Sequence, residues 1–232
     1  MTRGARLGIL GGTFNPVHIG HLRAAEEVRE ALALERVILI PCALPPHKGA
    51  VPGDSIAPPE LRLAWVRAAV ADNAALCADG LEVERGGRSY TIETVRAIAA
   101  RTAPELPVFL IGQEAFADLG SWREPEALLR ACHFAVMTRP PFSRGALADW
   151  LPKCARDEVL LAPDGRSARH REAPTWIRLV EVTALEISSS EIRARLRAGR
   201  SVRYLLPESV REAVQSSGVY GPDARDKLRG TE

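Results

Sequence analysis

Leu7-Gly8-Ile9-Leu10-Gly11-Gly12-Thr13-Phe14-Asn15-Pro16-Val17-His18-Ile19-Gly20-His21 is the stretch that decides how the rest of the chain is read. Its apolar start predicts a buried strand, and its glycine pair predicts a turn in which backbone N–H groups approach an anion without a Cβ in the way. His18 and His21 would share one edge of the first helical turn, beside the positive end of the helix dipole. A glycine pair alone would indicate only a turn, but strand, turn and paired histidines together predict a phosphate site opening a crossover helix.

The composition of the 232-residue chain is that of a globular protein, with 46% hydrophobic residues and a net charge of +2. This charge gives no whole-chain reason to expect a nucleic-acid partner. We find no apolar run long enough for a signal peptide or a membrane span, so no membrane partner is expected. The cysteines are far apart in sequence, which favours reduced thiols and a cytoplasmic location: Cys42, Cys77, Cys132 and Cys154.

Near-continuous aliphatic runs, such as Arg36–Pro41, Pro107–Gly112 and His133–Thr138, alternate with stretches of helical periodicity along the chain. Such runs indicate strands that are covered on both faces, as in a parallel sheet. The sequence therefore predicts an α/β, doubly wound parallel sheet with a C-terminal helical portion. We expect one domain over residues 1–232, with its core at about 6–220 and a polar tail after 221.

Two shorter stretches are harder to interpret. Leu81-Glu82-Val83-Glu84 alternates between apolar and acidic residues and predicts a short strand. The stretch from Pro163 to Pro174 is polar and predicts a mobile loop.

The segment from Cys42 to Pro59 is rich in proline, glycine and small residues. Long loops without structure of their own are often functional, and this one leaves the carboxyl end of a predicted strand, where α/β sheets bind ligands. His47 and Lys48 are therefore candidates for phosphate contact. A solvated lysine on a surface loop stays the alternative.

A second anion site is predicted at Ile187-Ser188-Ser189-Ser190-Glu191-Ile192-Arg193. Ser188 and Glu191 have the spacing of a capping box, and Arg193 lies one turn into the helix, within reach of an anion held at its N-terminus. The alternative is a solvated basic face, to which we assign Arg195, Arg197 and Arg200.

These features point to a class of reaction. Two helix N-termini with His18, His21, Lys48 and Arg193 around them suit phosphoryl or nucleotidyl transfer by positioning and charge neutralisation. We recognise neither a Ser-His-Asp arrangement nor a metal-binding spacing beside them, so a covalent enzyme intermediate is not expected.

The two segments resemble the two signatures of the nucleotidyltransferase superfamily, which has a Rossmann-like sheet. Further motifs resemble, in order and spacing, the bacterial nicotinate-nucleotide adenylyltransferase family: Pro45-Pro46-His47-Lys48, Ser89-Tyr90-Thr91, Ile111-Gly112-Gln113-Glu114, Ser121-Trp122 and Arg139-Pro140. The resemblance extends from Leu7 to Tyr220.

The resemblance implies transfer of AMP from ATP to nicotinate mononucleotide, with Mg²⁺ bound through the ATP phosphates and no metal ligand from the protein. It implies that His18, His21, Lys48 and Arg193 are catalytic. It assigns ATP binding to Gly11, Gly12, Thr13, Phe14, Gly112, Glu114, Ile187, Ser188, Ser189 and Ser190. It assigns the mononucleotide to Asn15, His47, Thr91, Trp122, Arg123 and Arg139. A homo-oligomer is left open.

Three residues depart from the family pattern. Asn15 stands where an Asp is common, Glu114 replaces an Asp, and Arg123 takes the place of an aromatic residue. The added charge of Arg123 suggests the hypothesis that it favours nicotinate over the neutral nicotinamide.

Alternatives remain at the level of the sequence. One is an adenylyltransferase for nicotinamide mononucleotide or pantetheine phosphate. Another is a binding protein without turnover, either a nucleotide sensor or an Arg-rich nucleic-acid module that uses the last helices. His18-Ile19-Gly20-His21 also matches the class I aminoacyl-tRNA synthetase signature, but that class needs a lysine-rich second motif and a tRNA-binding domain that we do not find in the sequence.

Overall fold

The computed structural model describes residues 7–45, 56–138 and 145–221. The strands of this part of the chain lie in one sheet: β1 (Leu7–Gly12), β2 (Arg36–Pro41), β3 (Leu76–Ala78), β4 (Val108–Gly112), β5 (His133–Thr138), β6 (Val159–Leu161), β7 (Ser167–His170) and β8 (Trp176–Glu181). The helices are α1 (Ile19–Ala31), α2 (Pro59–Val70), α3 (Leu81–Arg85), α4 (Thr91–Thr102), α5 (Gln113–Ala117), α6 (Pro125–Ala131), α7 (Leu147–Trp150), α8 (Lys153–Arg156), α9 (Ser189–Arg197) and α10 (Glu208–Ser217). A short 3₁₀ turn covers Leu119–Ser121.

The strand order is β3-β2-β1-β4-β5-β8-β7-β6. The first six strands in this order, from β3 through β8, pair in parallel, which confirms the prediction of an α/β, doubly wound sheet. The last two strands are antiparallel, since β7 pairs with β8 and with β6 in that way. The chain order changes direction between β1 and β4, and ligands of such sheets bind at the carboxyl ends of the strands at this point. Gly12 at the end of β1 therefore lies where a site is expected.

Alternating strand residues divide the core between the two faces of the sheet. Leu10 and Leu39 pack with α1, α2 and α10 on one face, whereas Ile9 and Ile40 pack with α4, α5 and α6 on the other. Each such side chain, once buried, stabilises the fold by about 1.5–3 kcal/mol. Burial on both faces explains why β1 and β2 read as continuous apolar runs.

The predicted strand at Leu81-Glu82-Val83-Glu84 is wrong, because these residues form α3. Four alternating residues fit one helical turn as well as a strand, so the periodicity alone could not decide. The Asp79 carboxylate accepts a hydrogen bond from the Leu81 N–H at 2.8 Å and helps to start the turn. The strand of this region is β3, five residues earlier at Leu76.

The loop prediction for residues 163–174 is also wrong, because Ser167–His170 forms β7. Asp164 accepts hydrogen bonds from the N–H groups of Arg166 (2.8 Å) and Ser167 (3.1 Å), and Gly165 adopts a φ of +65°. This turn joins β6 to β7 as a hairpin. The outward-facing residues of β7 are polar, so a search for apolar runs does not detect this strand.

The C-terminal helical portion is confirmed. Ser188 Oγ accepts a hydrogen bond from the Glu191 N–H at 3.1 Å, so one half of the predicted capping box forms at α9. The other half does not, since the Glu191 carboxylate pairs with Arg195 at 2.8 Å. Helix α10 packs on α2, where Ser209 Oγ donates to the Ala68 carbonyl at 3.0 Å. Among the residues described, we find no helix long and apolar enough to cross a bilayer.

Candidate active site

Two adjoining cavities lie at the carboxyl end of β1 and share Thr13. The first, called the signature cavity, brings the two predicted anion sites together and is lined by Thr13, Phe14, Asn15, His18, Gly20, His21, Leu185, Ile187, Ser188, Ser189, Ser190 and Arg193. The second, called the aromatic cavity, is lined by Ile9, Gly11, Gly12, Thr13, Cys42, Pro45, Glu82, Ser89, Tyr90, Thr91, Thr94, Phe109, Trp122 and Arg123.

The histidine pair lies at the start of α1, as the spacing predicted. The two rings stack with centroids 3.6 Å apart, and the His18 N–H donates to His21 Nδ1 at 3.2 Å. A neutral imidazole whose Nδ1 accepts a hydrogen bond carries its proton on Nε2, so a neutral His21 ring has its N–H donor at Nε2. A Cβ on Gly20 would approach the His18 ring to 3.1 Å, which explains the glycine between the histidines.

The second signature is hydrogen-bonded directly to the first. Arg193, only 4% exposed, donates from Nη1 to the Asn15 carbonyl at 2.7 Å and from Nη2 to Ser190 Oγ at 3.0 Å. Ser189 Oγ donates to the Pro16 carbonyl at 2.9 Å. These bonds hold the N-terminus of α9 against the loop before α1. The site therefore combines two helix N-termini and a buried guanidinium, which suits a polyanion.

Asn15 lies in the wall of the signature cavity, but its side chain is directed into the protein. Its Oδ1 accepts hydrogen bonds from the Ala57 N–H (2.9 Å) and from the Tyr220 hydroxyl. The predicted contact with a mononucleotide therefore competes with two internal contacts. A carboxylate could accept the same two bonds, which explains why either Asn or Asp suits this position.

The aromatic cavity contains Thr91 and Trp122, two residues predicted to contact the acceptor. Thr91 is the first residue of α4, and the Trp122 ring stands edge-on to Phe109 with centroids 6.3 Å apart. Gly11, Gly12 and Thr13 also line this cavity, and Thr13 is shared with the signature cavity. An aromatic wall next to a backbone turn suits a flat ring that carries a phosphate.

Arg123 also lines the aromatic cavity, and its charge is partly compensated. Its guanidinium lies 4.5 Å above the Tyr90 ring, 3.2 Å from Glu93 Oε1 and 3.8 Å from Glu124 Oε1. The side chain is 51% exposed, so solvent screens the charge further. These contacts reduce the charge that Arg123 can offer to a ligand.

Sequence reasoning missed Glu82, Ser89 and Cys42 in the aromatic cavity. Burial raises the pKa of the Glu82 carboxyl, although Thr94 Oγ1 donates to it at 2.5 Å and Ser89 also hydrogen-bonds to it. Burial likewise raises the pKa of the Cys42 thiol, so it stays protonated at neutral pH. The misassigned strand made Glu82 look solvent-facing. No local pattern could have found it, because four alternating residues fit a helical turn as well as a strand.

Other predicted site residues lie elsewhere. Gly112 ends β4, and Glu114 is exposed in the first turn of α5, but neither lines the signature cavity or the aromatic cavity. His47, Lys48 and Arg139 fall outside the described residues.

The chain resembles known proteins over most of its length. The model of the cytidylyltransferase-like family matches residues 9–195. A curated relative from Geobacter sulfurreducens, named "Probable nicotinate-nucleotide adenylyltransferase", is 42% identical over 94% of this chain and 99% of its own length. A relative of the same name from Moorella thermoacetica is 39% identical over 96% of this chain and 94% of its own.

The fold is also found in a solved structure, Plasmodium falciparum nicotinic acid mononucleotide adenylyltransferase complexed with NaAD. It superimposes with a TM-score of 0.67 at 17% identity, covering 92% of this chain and 96% of that one. The sequence relatives confirm the resemblance drawn from the two signatures. The chain therefore belongs to the cytidylyltransferase-like family and, within it, to the nicotinate-nucleotide adenylyltransferases.

Proposed function

We propose that this protein transfers AMP from ATP to nicotinate mononucleotide, giving deamido-NAD and pyrophosphate. One observation supports this proposal most strongly: an anion-binding cavity and an aromatic cavity meet at Thr13. Two substrates held in adjoining cavities can react without leaving the enzyme, and such positioning is the main contribution that a protein makes to phosphoryl-type transfer. The names of the sequence relatives support the same choice of substrates.

ATP occupies the signature cavity in this proposal. Its phosphates lie between the N-termini of α1 and α9, where backbone N–H groups, His18, His21 and Arg193 surround them. Lys48 lies outside the described residues, and the family resemblance is the reason to expect that it adds a cation. ATP enters as its Mg²⁺ complex, so the ion belongs to the substrate and offsets charge on the same phosphates.

Nicotinate mononucleotide occupies the aromatic cavity. Trp122 stacks on the pyridine ring, and the Thr91 hydroxyl donates to its carboxylate. The acceptor's phosphate then lies beside Gly11, Gly12 and Thr13, next to the α-phosphate of ATP.

The proposed reaction is a direct displacement. An oxygen of the mononucleotide phosphate attacks the α-phosphorus of ATP and forms the new P–O bond. The bond from the α-phosphorus to the oxygen that bridges it to the β-phosphate breaks, and its electron pair leaves with pyrophosphate. The attacking phosphate is already ionised at neutral pH, so no general base is needed. His18, His21 and Arg193 stabilise the charge that develops on pyrophosphate, and one such donor contributes about 10²- to 10³-fold in rate.

The test is a stoichiometry measurement with the purified full chain, ATP, Mg²⁺ and nicotinate mononucleotide. We expect one pyrophosphate and one deamido-NAD for each ATP consumed. Nicotinamide mononucleotide and pantetheine phosphate, tested in parallel, are expected to react more slowly. Nucleotide binding without pyrophosphate release would refute the proposal, and faster turnover of another acceptor would replace nicotinate mononucleotide as the substrate.

A further inference from the structure

Arg62 is an arginine with no exposed surface that sits in the first turns of α2. Its three guanidinium nitrogens donate to three backbone carbonyls: Nε to Ala57 at 2.9 Å, Nη1 to Thr13 at 2.7 Å, and Nη2 to Ala43 at 2.8 Å. Arginine is rarely buried, because a charge taken out of water costs several kcal/mol before its partners compensate. One side chain thus holds the loop after β1 and both ends of the segment between β2 and α2, at Ala43 and at Ala57, two residues before the helix.

The bond to Thr13 acts on the residue that the two cavities share. The Thr13–Phe14 peptide is trans, so its carbonyl and the Phe14 N–H point in opposite directions. Arg62, which lines neither cavity, holds the carbonyl on its own side, so the Phe14 N–H points away from Arg62. Donation to a carbonyl also polarises the peptide and strengthens its N–H as a donor.

The bond to Ala43 extends this contact to the wall of the aromatic cavity. Arg62 holds the Ala43 carbonyl, while the Ala43 N–H donates to Ser89 Oγ at 2.9 Å. Ser89 in turn hydrogen-bonds to Glu82, and both line the aromatic cavity. A continuous buried polar chain therefore runs from the acceptor side, through Arg62, to the phosphate turn.

The bond to Ala57 connects Arg62 to Asn15 in the loop before α1. Arg62 holds the Ala57 carbonyl, and the Ala57 N–H donates to Asn15 Oδ1 at 2.9 Å. Arg193 holds the Asn15 carbonyl through its own hydrogen bond at 2.7 Å. The carbonyls of Thr13 and Asn15 are thus each fixed by a different buried arginine, which leaves the turn between them little freedom to move.

From this geometry we propose that Arg62 is a positioning residue for adenylyl transfer: it fixes Thr13 and Ala43, and through them the alignment of the two substrate phosphates. The inference rests on the proposed function. Arg62 lines neither cavity, so it acts through the backbone rather than on a substrate. A purely structural arginine would affect stability alone, whereas a positioning arginine affects kcat in protein that remains folded.

The test compares Arg62→Met and Arg62→Lys with Arg67→Met, which removes an exposed arginine of the same helix. We expect Arg62→Met, assayed well below its unfolding temperature, to lose about 10- to 100-fold in kcat, since small misplacements of reacting groups have costs of this size. Both KM values should change less than about threefold, because neither substrate loses a direct contact. Arg62→Lys keeps the charge and part of the hydrogen bonding, so it should recover part of kcat. Arg67→Met should match the wild type.

The outcomes are distinct. A folded Arg62→Met protein with wild-type kcat would overturn the inference. If Arg62→Met does not fold, the Arg62→Lys variant provides the test. A kcat reduced at least about threefold with unchanged KM values would support the positioning role of Arg62, and a wild-type kcat would overturn it. Failure of the wild-type protein to release pyrophosphate would instead reject the proposed function, and the control reaction reveals that case first.

Discussion

The signature cavity and the aromatic cavity adjoin at Thr13 but are built in different ways. The signature cavity joins segments that are 173–178 residues apart through hydrogen bonds to backbone carbonyls, and its wall contains the buried Arg193 and two histidines. The aromatic cavity is formed by rings, a buried carboxyl and a half-exposed arginine. The first arrangement suits a polyanion and the second a flat ring, so in the proposed function the first sets the type of reaction and the second selects the acceptor.

The largest effect is expected from the histidines of the signature cavity. His18→Ala removes one ring of the stacked pair and should lower kcat by about 10²- to 10³-fold, the usual cost of losing a donor to developing charge. The KM for the mononucleotide should change little, because His18 does not line the aromatic cavity. Steady-state pyrophosphate release measures both constants, with circular dichroism as the folding control. Activity within about threefold of wild type would remove His18 from the mechanism.

Arg193 and Arg195 provide a matched pair on α9. Arg193→Met should lower kcat/KM for ATP by about 10- to 100-fold, because a charge-assisted hydrogen bond contributes about 1.5–3 kcal/mol. Arg195 is 41% exposed and pairs with Glu191, so Arg195→Met should stay within about twofold, as expected for a surface ion pair. Kinetics at saturating mononucleotide test both variants. Equal losses would indicate a diffuse basic surface instead of a defined phosphate site.

Trp122 tests the aromatic cavity alone. Trp122→Ala should raise the KM for nicotinate mononucleotide by about tenfold, since stacking of a ring on an aromatic side chain contributes about 1–3 kcal/mol. The KM for ATP should change less than about twofold, and Trp122→Phe should recover most of the lost affinity because it keeps a stacking face. If both KM values rose together in Trp122→Ala, the two cavities would not have separate ligands.

A small effect is expected at Arg123. Glu93 already compensates part of the Arg123 charge through an ion pair. Arg123→Gln should therefore change the ratio of kcat/KM for nicotinate and nicotinamide mononucleotide by no more than about threefold. Glu93→Gln releases Arg123 and should increase that preference. Ratios of kcat/KM for the two mononucleotides provide the measurement. A tenfold loss of preference in Arg123→Gln would restore Arg123 as the main determinant.

The smallest effect concerns Glu82 and pH. Burial raises the pKa of its carboxyl, so the folded protein binds this proton more tightly than the unfolded chain does. The resulting stabilisation is complete below the pKa of the unfolded carboxyl and is lost as the pH rises through the folded value. Glu82→Gln should therefore gain stability relative to wild type as the pH rises above about 4.5, the ordinary pKa of a Glu carboxyl, measured by urea unfolding. Glu84→Gln, at an exposed position of α3, is the control. A stability difference independent of pH would contradict this account.

Local patterns were enough to predict most of the fold and the signature cavity. Strands buried on both faces, such as β1 and β2, have an unmistakable apolar run, and the spacing of His18 and His21 is a local property of one helix start. The proximity of this segment to Arg193 could also be predicted, because each follows a parallel strand and the carboxyl ends of parallel strands lie at one edge of the sheet.

The rest depended on tertiary contacts that have no local sequence signal. Arg62 stands between Leu61 and Leu63 in α2, and only the fold brings its guanidinium to carbonyls of the β1–α1 and β2–α2 connections. Glu82 was hidden because four alternating residues fit both a helix and a strand. The single domain, the cytoplasmic location, the oligomeric state and the lack of a nucleic-acid partner stay predictions.

The central claim is that the acceptor phosphate attacks ATP directly across the junction at Thr13. Isotope exchange between radiolabelled pyrophosphate and ATP tests it, measured with and without nicotinate mononucleotide. Direct displacement predicts exchange only when the mononucleotide is present, because pyrophosphate leaves only as the new bond forms. Exchange at a comparable rate without the mononucleotide would reveal an adenylylated enzyme and contradict the account.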